Sequence, residues 1–460
     1  MTAADHQRKL AALRFALDGV EARGVAAFGL AKPTSNLFRD RARAPPPRIN
    51  LRHFDDVIEV DPAAGCVAVE GMTPYVELVD ATLARGVMPC VVPQLKSITV
   101  GGALAGIGIV ASSFRQGLVH ETVTAFDVLT GDGHIVHCTP DNEHRALFYG
   151  FPNSYGTLGY ALKITARTMP VRPFVALEHR RYANADDCFA DLAHLCAAGD
   201  IDFLDGVAFA RDDFVLTLGR FVDAAPATSD YGFERIYYRS LRERSSDFLT
   251  TRDYLWRWDT DWFWCSRQLG AQHPLLRRLL GRQRLNSVTY QRVMRWNSRW
   301  GLTRTWQRLR GLHAESVIQD VDIPLAHCGG FLEFLAREIG IWPVWMCPLR
   351  ARDPPARFTL YPLAPGTLYV NFGFWDVVSQ RTPRPPGFHN RKIEREVARL
   401  GGLKSLYSDS YYSEAEFWAL HDRNAYARLK RSYDPANALG DLYAKCSSRR
   451  RGPTQDGGRT

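Results

Sequence analysis

Val92-Pro93-Gln94-Leu95-Lys96-Ser97-Ile98-Thr99-Val100-Gly101-Gly102-Ala103-Leu104-Ala105-Gly106-Ile107-Gly108 is the most informative run of the sequence. Adjacent glycines remove the side chains that keep a ligand off the backbone, and a turn opening a helix can present N–H groups to an anion such as a pyrophosphate. Taken alone, a Gly-Gly pair is more often a turn between a strand and a packed helix. The pattern is neither a Rossmann fingerprint nor a P-loop. No G-x-G-x-x-G follows a strand with an acidic residue about twenty positions on, and no Gly-Lys-Ser/Thr occurs.

Outward from this turn the sequence reads as short strands and helices. Residues 5–22 place Leu10, Leu13 and Leu17 at helical spacing before Gly24, which predicts an opening helix. Runs at 25–30, 57–60 and 66–70 read as strands, and 74–83 as a helix. From 90 to 169, Gly-rich turns alternate with β-rich runs at 125–129, 135–138 and 162–168. At 171 the texture changes to strands such as 214–218 mixed with aromatic and Arg-rich segments, and residues 414–430 have helical periodicity. These observations predict an α+β protein in four parts: residues 1–170, a substrate domain at 171–404, a C-terminal segment at 405–446 and a frayed tail at 447–460.

A protein of 460 residues is long enough to bury two or three cores, and 46% hydrophobic with 23% charged residues is ordinary globular usage. Nine cysteines without a C-x-x-C pair argue against a disulfide framework and a zinc site. Asp5, Arg8, Lys9, Arg14 and Asp18 interrupt the first twenty residues, so no signal peptide or bilayer span is expected there, and a cytoplasmic placement is. His134 and His137, three apart on an expected strand, point to opposite faces and suggest no metal site. No nucleophilic triad is marked by a local motif, and Cys347 in the apolar run Trp345-Met346-Cys347-Pro348 reads as core.

Four further motifs follow the Gly-Gly turn in order: Ser112-Ser113-Phe114-Arg115-Gln116-Gly117-Leu118, Asp127-Val128-Leu129-Thr130-Gly131-Asp132-Gly133, Leu147-Phe148-Tyr149 and Tyr155-Gly156-Thr157-Leu158-Gly159. The series resembles the FAD-binding domain of the vanillyl-alcohol oxidase and p-cresol methylhydroxylase (PCMH-type) superfamily, and within it the delta-24 sterol reductases. The likeness continues through Ile341 to Pro348, Leu406-Tyr407-Ser408-Asp409 and Glu416-Phe417-Trp418. It implies a PCMH-type FAD-binding domain of two subdomains, a substrate domain, and a C-terminal segment returning to the flavin. It implies FAD contacts at Gly29, Lys32, Thr99, Val100, Gly101, Gly102, Gly106, Gly108, Ser112, Gly117, Gly156 and Gly159. The superfamily's first phosphate loop, R-G-x-G-x-S, is here Phe28-Gly29-Leu30-Ala31-Lys32-Pro33-Thr34-Ser35, so Gly29 alone keeps its place and Lys32 offers a point charge. Members that bind FAD covalently through this loop use a His. None lies between residues 24 and 52, which implies a non-covalent cofactor.

The resemblance further implies that NADPH or NADH reduces FAD and that flavin hydride reaches an isolated double bond of a hydrophobic substrate. Such an alkene must first gain a proton, so the site needs an acid held protonated near neutral pH. Asp409 is the candidate acid and Tyr407 the alternative, because their segment aligns with one that reaches the flavin in related enzymes. An Asp between two Ser also suits a turn cap. Ser408 stands where decaprenylphosphoryl-ribose oxidases carry Lys, which disfavours their alcohol oxidation. Two other readings stay open: a flavin enzyme oxidising an alcohol such as a polyprenyl-linked sugar, and a non-enzymatic membrane- or nucleic-acid-binding protein with a decayed flavin fold.

Residues 262–314 hold eleven Arg and no Asp, Glu or Lys, in a protein of net charge +9. A solvated helical face and an anionic surface weigh equally for such a run. If 288–299 is helical, Val293, Trp296 and, at its end, Trp300 share one face, with Arg292, Arg295 and Arg299 about a quarter turn round, a pattern suited to an anionic membrane surface; a buried helix or a nucleic-acid groove would explain the same residues, though no nucleic acid is expected. Peripheral attachment to the inner face of a membrane is the corresponding expectation.

Overall fold

The computed structural model describes residues 3–21, 29–31, 48–233, 235–300, 310–352 and 358–447. Gly29–Ala31 (β1) and Arg48–Asn50 (β2) form a small parallel sheet. Short β-branched runs then build an antiparallel sheet from Val57–Asp61 (β3), Cys66–Glu70 (β4), Val87–Pro89 (β5), Val123–Leu129 (β6), Ile135–Cys138 (β7) and Tyr160–Pro170 (β8). Its order is β3-β4-β8-β6-β7, with β5 also on β8. Val67, Val69, Phe126 and Ile164 bury one face beneath Leu78 and Val79 of the helix Tyr75–Leu83 and Val100 and Leu104 of the helix Val100–Ala105.

An eight-stranded sheet follows, ordered β12-β9-β11-β10-β14-β15-β13-β16. Its strands are Phe174–Tyr182 (β9), Phe203–Ala210 (β10), Asp213–Val222 (β11), Ser246–Thr250 (β12), His313–Pro324 (β13), Val344–Arg350 (β14), Leu368–Gln380 (β15) and Leu403–Lys404 (β16). The period of two sorts each strand between two cores. Val344 and Met346 of β14 meet the helices Ala185–Ala198, Cys328–Glu338 and Phe388–Arg399, whereas Trp345 and Cys347 turn to the other side. The second side shares one hydrophobic cluster with the first sheet and with Trp256, Trp258, Trp262 and Trp264.

The two sheets are tied directly. Leu204 N–H donates to Ala111 O at 2.8 Å, Arg115 Nη1 to Ile201 O at 2.8 Å and Asn153 Nδ2 to Leu360 O at 2.7 Å. The C-terminal helix Arg423–Tyr433 returns to the first unit, where Lys430 Nζ reaches Thr157 O at 3.2 Å and Gly131 N–H donates to Tyr433 O. The architecture is α+β.

The structure corrects one expectation at element level. Residues 414–430 are not one helix: Glu414–Leu420 ends at His421, and Asp422 caps a second helix by accepting from Ala425 N–H at 2.8 Å. The Arg-rich window is not one free basic surface. Trp262 and Trp264 lie in the core, and Arg267, Arg277 and Arg282 pair with Asp376, Asp261 and Asp230. The opening helix spans Ala3–Glu21, and Leu10, Leu13 and Leu17 are its buried face. Lys32, residues 25–28 and 448–460 lie outside the described residues. Among the described residues, no helix is long and apolar enough to cross a membrane.

Candidate functional site

The Gly-Gly turn is built on a cap. Thr99 accepts from Gly102 N–H through Oγ1 at 3.2 Å and starts the helix Val100–Ala105. Val100 N–H donates to Thr73 O at 3.0 Å and Gly101 N–H to Gly71 O at 2.8 Å. The donors that the sequence suggested for a phosphate are thus engaged within the protein. Gly101 is a glycine for an internal reason, because a Cβ there would stand 2.7 Å from Gly71 O. Gly102 differs: it is exposed, and a Cβ would meet only Thr99 Oγ1. Its surface is where a ligand can approach the backbone.

The other glycines are set mainly by protein neighbours. A Cβ at Gly108 would lie 2.5 Å from Val119, one at Gly117 2.4 Å from the Glu121 carboxylate, and one at Gly159 2.5 Å from Val128. Gly106 sits against the Tyr155 ring, and Gly29 lies on β1 opposite Arg48. Ser112 is buried and donates to Cys90 O at 2.8 Å. The turn from Asn153 to Gly156 is unusual, with left-handed backbone at Asn153 (φ 63), Tyr155 (φ 49) and Gly156 (φ 79). Backbone strain of this kind is held only where the surroundings fix it, and it concentrates at functional sites. Asn153 Oδ1, Ser154 Oγ and both side-chain polar atoms of Gln94 are buried without a hydrogen-bond partner among the described residues. The unfilled groups of Asn153 and Ser154, tied to the Gly-rich run by Asn153 N–H donating to Gly106 O, and the open face of Gly102 fit a polar cofactor laid along this side of the first unit.

Facing that turn, β13 carries a carboxyl pair. Asp320 and Asp322, two residues apart on one strand, project from the same face. Opposite Asp322 on β15 stands Asn371, whose Nδ2 donates to Asp322 Oδ1 at 2.7 Å, and Tyr361 Oη donates to Oδ2 at 2.6 Å. Opposite Asp320 stands Gly373, where a Cβ would fall 2.6 Å from Asp320 Oδ1. That oxygen is shut from solvent and has no partner among the described residues. Tyr407 hydrogen-bonds Asp320 and accepts from Trp375 Nε1 at 2.8 Å. Burial, reinforced by the neighbouring Asp322, pushes the Asp320 carboxyl up to about 8 against the pull of Tyr407. Asp322, buried but doubly donated to, rises to about 6.

The segment bearing Tyr407 is fastened by β16, which pairs with Val321 and Asp322, and by Ser405 N–H donating to Asp320 O at 3.0 Å. Buried Lys404 binds Glu394 at 2.6 Å and the carbonyl of Asp409 at 2.6 Å. Tyr155 of the first unit interacts electrostatically with both Tyr361 and Tyr407. Ile107 and Ile109 pack with Tyr361. The Gly-rich run, the Asn153–Gly156 turn and the Asp320–Tyr407 pair therefore converge. Of the two acids suggested by sequence, Tyr407 touches this pair. Asp409 accepts at its carbonyl from Lys404. Asp320 was missed, although two aspartates alternating through Val317-Ile318-Gln319-Asp320-Val321-Asp322-Ile323 were a visible signal.

His137 bonds Asp127 at 2.6 Å and His134 lies 3.3 Å from Asp132, each on its own carboxylate. Cys347 is buried, and burial pushes its thiol well up.

Residues 47–139, which include the Gly-Gly turn and the two motifs after it, match the family model described as an FAD binding domain. This protein has an FAD-binding domain. Over a much longer span it is similar to the Delta(24)-sterol reductase of Homo sapiens, 25% identical over 408 residues that cover 85% of this chain and 76% of that protein. A Delta(24)-sterol reductase homolog of Caenorhabditis elegans is 25% identical over 86% of this chain and 78% of its own length. The Delta(24)-sterol reductase of Pisum sativum is 25% identical over 90% of this chain and 78% of its own. The domain is of the PCMH type, and the protein is an FAD-dependent oxidoreductase.

Proposed function

We propose that this FAD-dependent oxidoreductase reduces a carbon–carbon double bond in the side chain of a sterol-like or isoprenoid lipid and is itself reduced by NADPH or NADH. The observation that carries this reading is Asp320, a carboxyl raised to about 8 beside the FAD-binding domain. The names of the relatives point the same way. FAD would be held without a covalent bond by Thr99, Val100, Gly101, Gly102, Gly106, Gly108, Ser112, Gly117, Gly156 and Gly159, with Gly29 and Lys32 from the first loop. Reduced FAD, when bound, supplies the hydride.

The protein's own task is the proton. An isolated alkene accepts hydride only after protonation of its less substituted carbon, which leaves a tertiary cation for the hydride to quench. Asp320 Oδ1 is the acid in this reading, in place of Asp409. Tyr407, held by Trp375, positions Asp320 and orients its second oxygen. Phe263, Trp264 and Trp375, with ring centroids 4.3 and 5.5 Å apart, line the neighbourhood with apolar surface that keeps water from the cation. After transfer Asp320 is a carboxylate and regains a proton from solvent before the next turnover.

Anaerobic stopped flow separates the half-reactions. Asp320→Asn should leave flavin reduction by the nicotinamide intact and slow reoxidation by a sterol with a Δ24 side-chain double bond, or by a polyprenyl lipid, by about two to four orders of magnitude. Asp409→Asn should affect reoxidation far less. Reoxidation slowed only in Asp409→Asn returns the acid to that residue, and equal losses in both halves make Asp320 structural. Flavin reduced on adding an alcohol, with no oxidation by alkene, replaces the reading with alcohol dehydrogenation.

A further inference from the structure

We propose that the consecutive helices Pro274–Leu280 and Ser287–Trp300 seat the protein on an anionic lipid bilayer. Among the described residues six large apolar side chains are strongly exposed, and four fall within this short interval: Leu275 (70%), Leu279 (77%), Val293 (42%) and Trp296 (57%). Leu275 and Leu279 stand four apart, and Val293 and Trp296 three apart, so each helix turns a pair to one face. The remaining two, Phe15 and Val377, lie elsewhere as single residues, which is normal for a surface.

The charge beside these apolar pairs is of one sign. Arg278, Arg284 and Arg292 are exposed and take part in none of the ion pairs found among the described residues. No acidic side group occurs from Trp262 to Ala314 to oppose them. The partly spent charge of the window sharpens the assignment, because Arg267, Arg277 and Arg282 are occupied by aspartates of the same protein, whereas among the described residues Arg278 and Arg292, outside those pairs, stand next to exposed Leu, Val and Trp. A nucleic-acid surface would have no use for Leu275 and Leu279. A bilayer uses both features, with apolar side chains among the acyl chains and guanidinium groups on lipid phosphates. Buried Leu285 and Tyr290 anchor the interval to the same hydrophobic cluster that contains Phe263, Trp264 and Trp375 beside Asp320.

Co-sedimentation reads docking without turnover, so its outcome is independent of the reaction proposed above. We expect the FAD-loaded full-length protein to bind vesicles of phosphatidylcholine with 30% phosphatidylglycerol at least about ten-fold more tightly than pure phosphatidylcholine, with most of that preference lost at 0.5 M salt. The double substitution Leu279→Asp, Trp296→Ala should lower binding to the anionic vesicles by about ten-fold or more. Both side chains are exposed, so melting temperature and FAD content should stay at wild-type values, and Arg278→Glu provides a second variant if they do not. Equal binding to both vesicles, undiminished binding by both variants, or binding to duplex DNA but not to vesicles would overturn the inference.

Discussion

Asp320 and Asp322 share one face of β13, and what lies opposite each decides which one keeps a proton. Asn371 and Tyr361 give Asp322 two donors, whereas Gly373 leaves Asp320 Oδ1 with none among the described residues. The folded Asp320 carboxyl titrates at about 8 against an ordinary value of 3.8. Between these values the unfolded protein has lost this proton and the folded protein has kept it. The stabilising difference is fully present below 3.8 and declines as pH rises towards 8. Measured against Asp320→Asn, which cannot ionise, the wild-type melting temperature should fall by about 3 °C or more between pH 6 and pH 9. Parallel curves for the two proteins would refute the raised carboxyl and remove the basis for Asp320 as an acid.

At the scale of an element, the helix Val100–Ala105 is only six residues long, and so short a helix depends on its ends and its packing. Thr99 supplies the N-terminal end through its bond from Gly102 N–H. Thr99→Ala should cost about 1 kcal/mol of stability. Because the capped turn also fixes the exposed face of Gly102, it should weaken FAD binding as well. Thr99→Ser keeps the oxygen and should restore both. A calorimetric scan with an FAD titration tests this, and unchanged values in Thr99→Ala would show that the tie from Gly101 to Gly71 alone holds the turn. Gly-Gly was readable in the sequence as a turn opening a helix, with a phosphate site as the expectation from the resemblance. The sequence did not reveal that Gly101 packs on Gly71 and that Gly102 is the open position, because that depends on which strand lies beneath.

Across the whole molecule, the two sheets are not independent bodies. Val67 and Phe126 of the first and Val207, Val215 and Trp345 of the second belong to one buried cluster, and the helix Arg423–Tyr433 packs back against the first unit after the second is complete. Buried Arg257 pairs with Asp205 at 2.7 Å, and Trp258 and Trp345 donate to the same carboxylate at 3.2 Å, locking β10, β14 and the Trp-rich segment together. Tryptophan fluorescence, dominated by this region, and the release of FAD from the first unit should therefore follow one coincident thermal transition. Flavin released well below the tryptophan transition would mean that the first unit opens alone.

Elements with local signals were legible in the sequence. Strands β4 and β7 fall where β-branched runs bounded by Gly, Pro and Asp placed them, and the buried face of Ala3–Glu21 is the leucine stripe read from its spacing. The ordered Gly motifs carried the resemblance to an FAD-binding domain, which the match over residues 47–139 bears out. Only the tertiary structure decided the candidate acid. In β13, alternation of Val317, Gln319, Val321 and Ile323 with Ile318, Asp320 and Asp322 reads locally as a strand with one face in the core and one in water. The second face is covered by Tyr361, Tyr407 and the neighbouring unit, from segments far away in the sequence. It is this distant cover, absent from any local pattern, that takes Oδ1 of half-buried Asp320 out of water and raises its carboxyl.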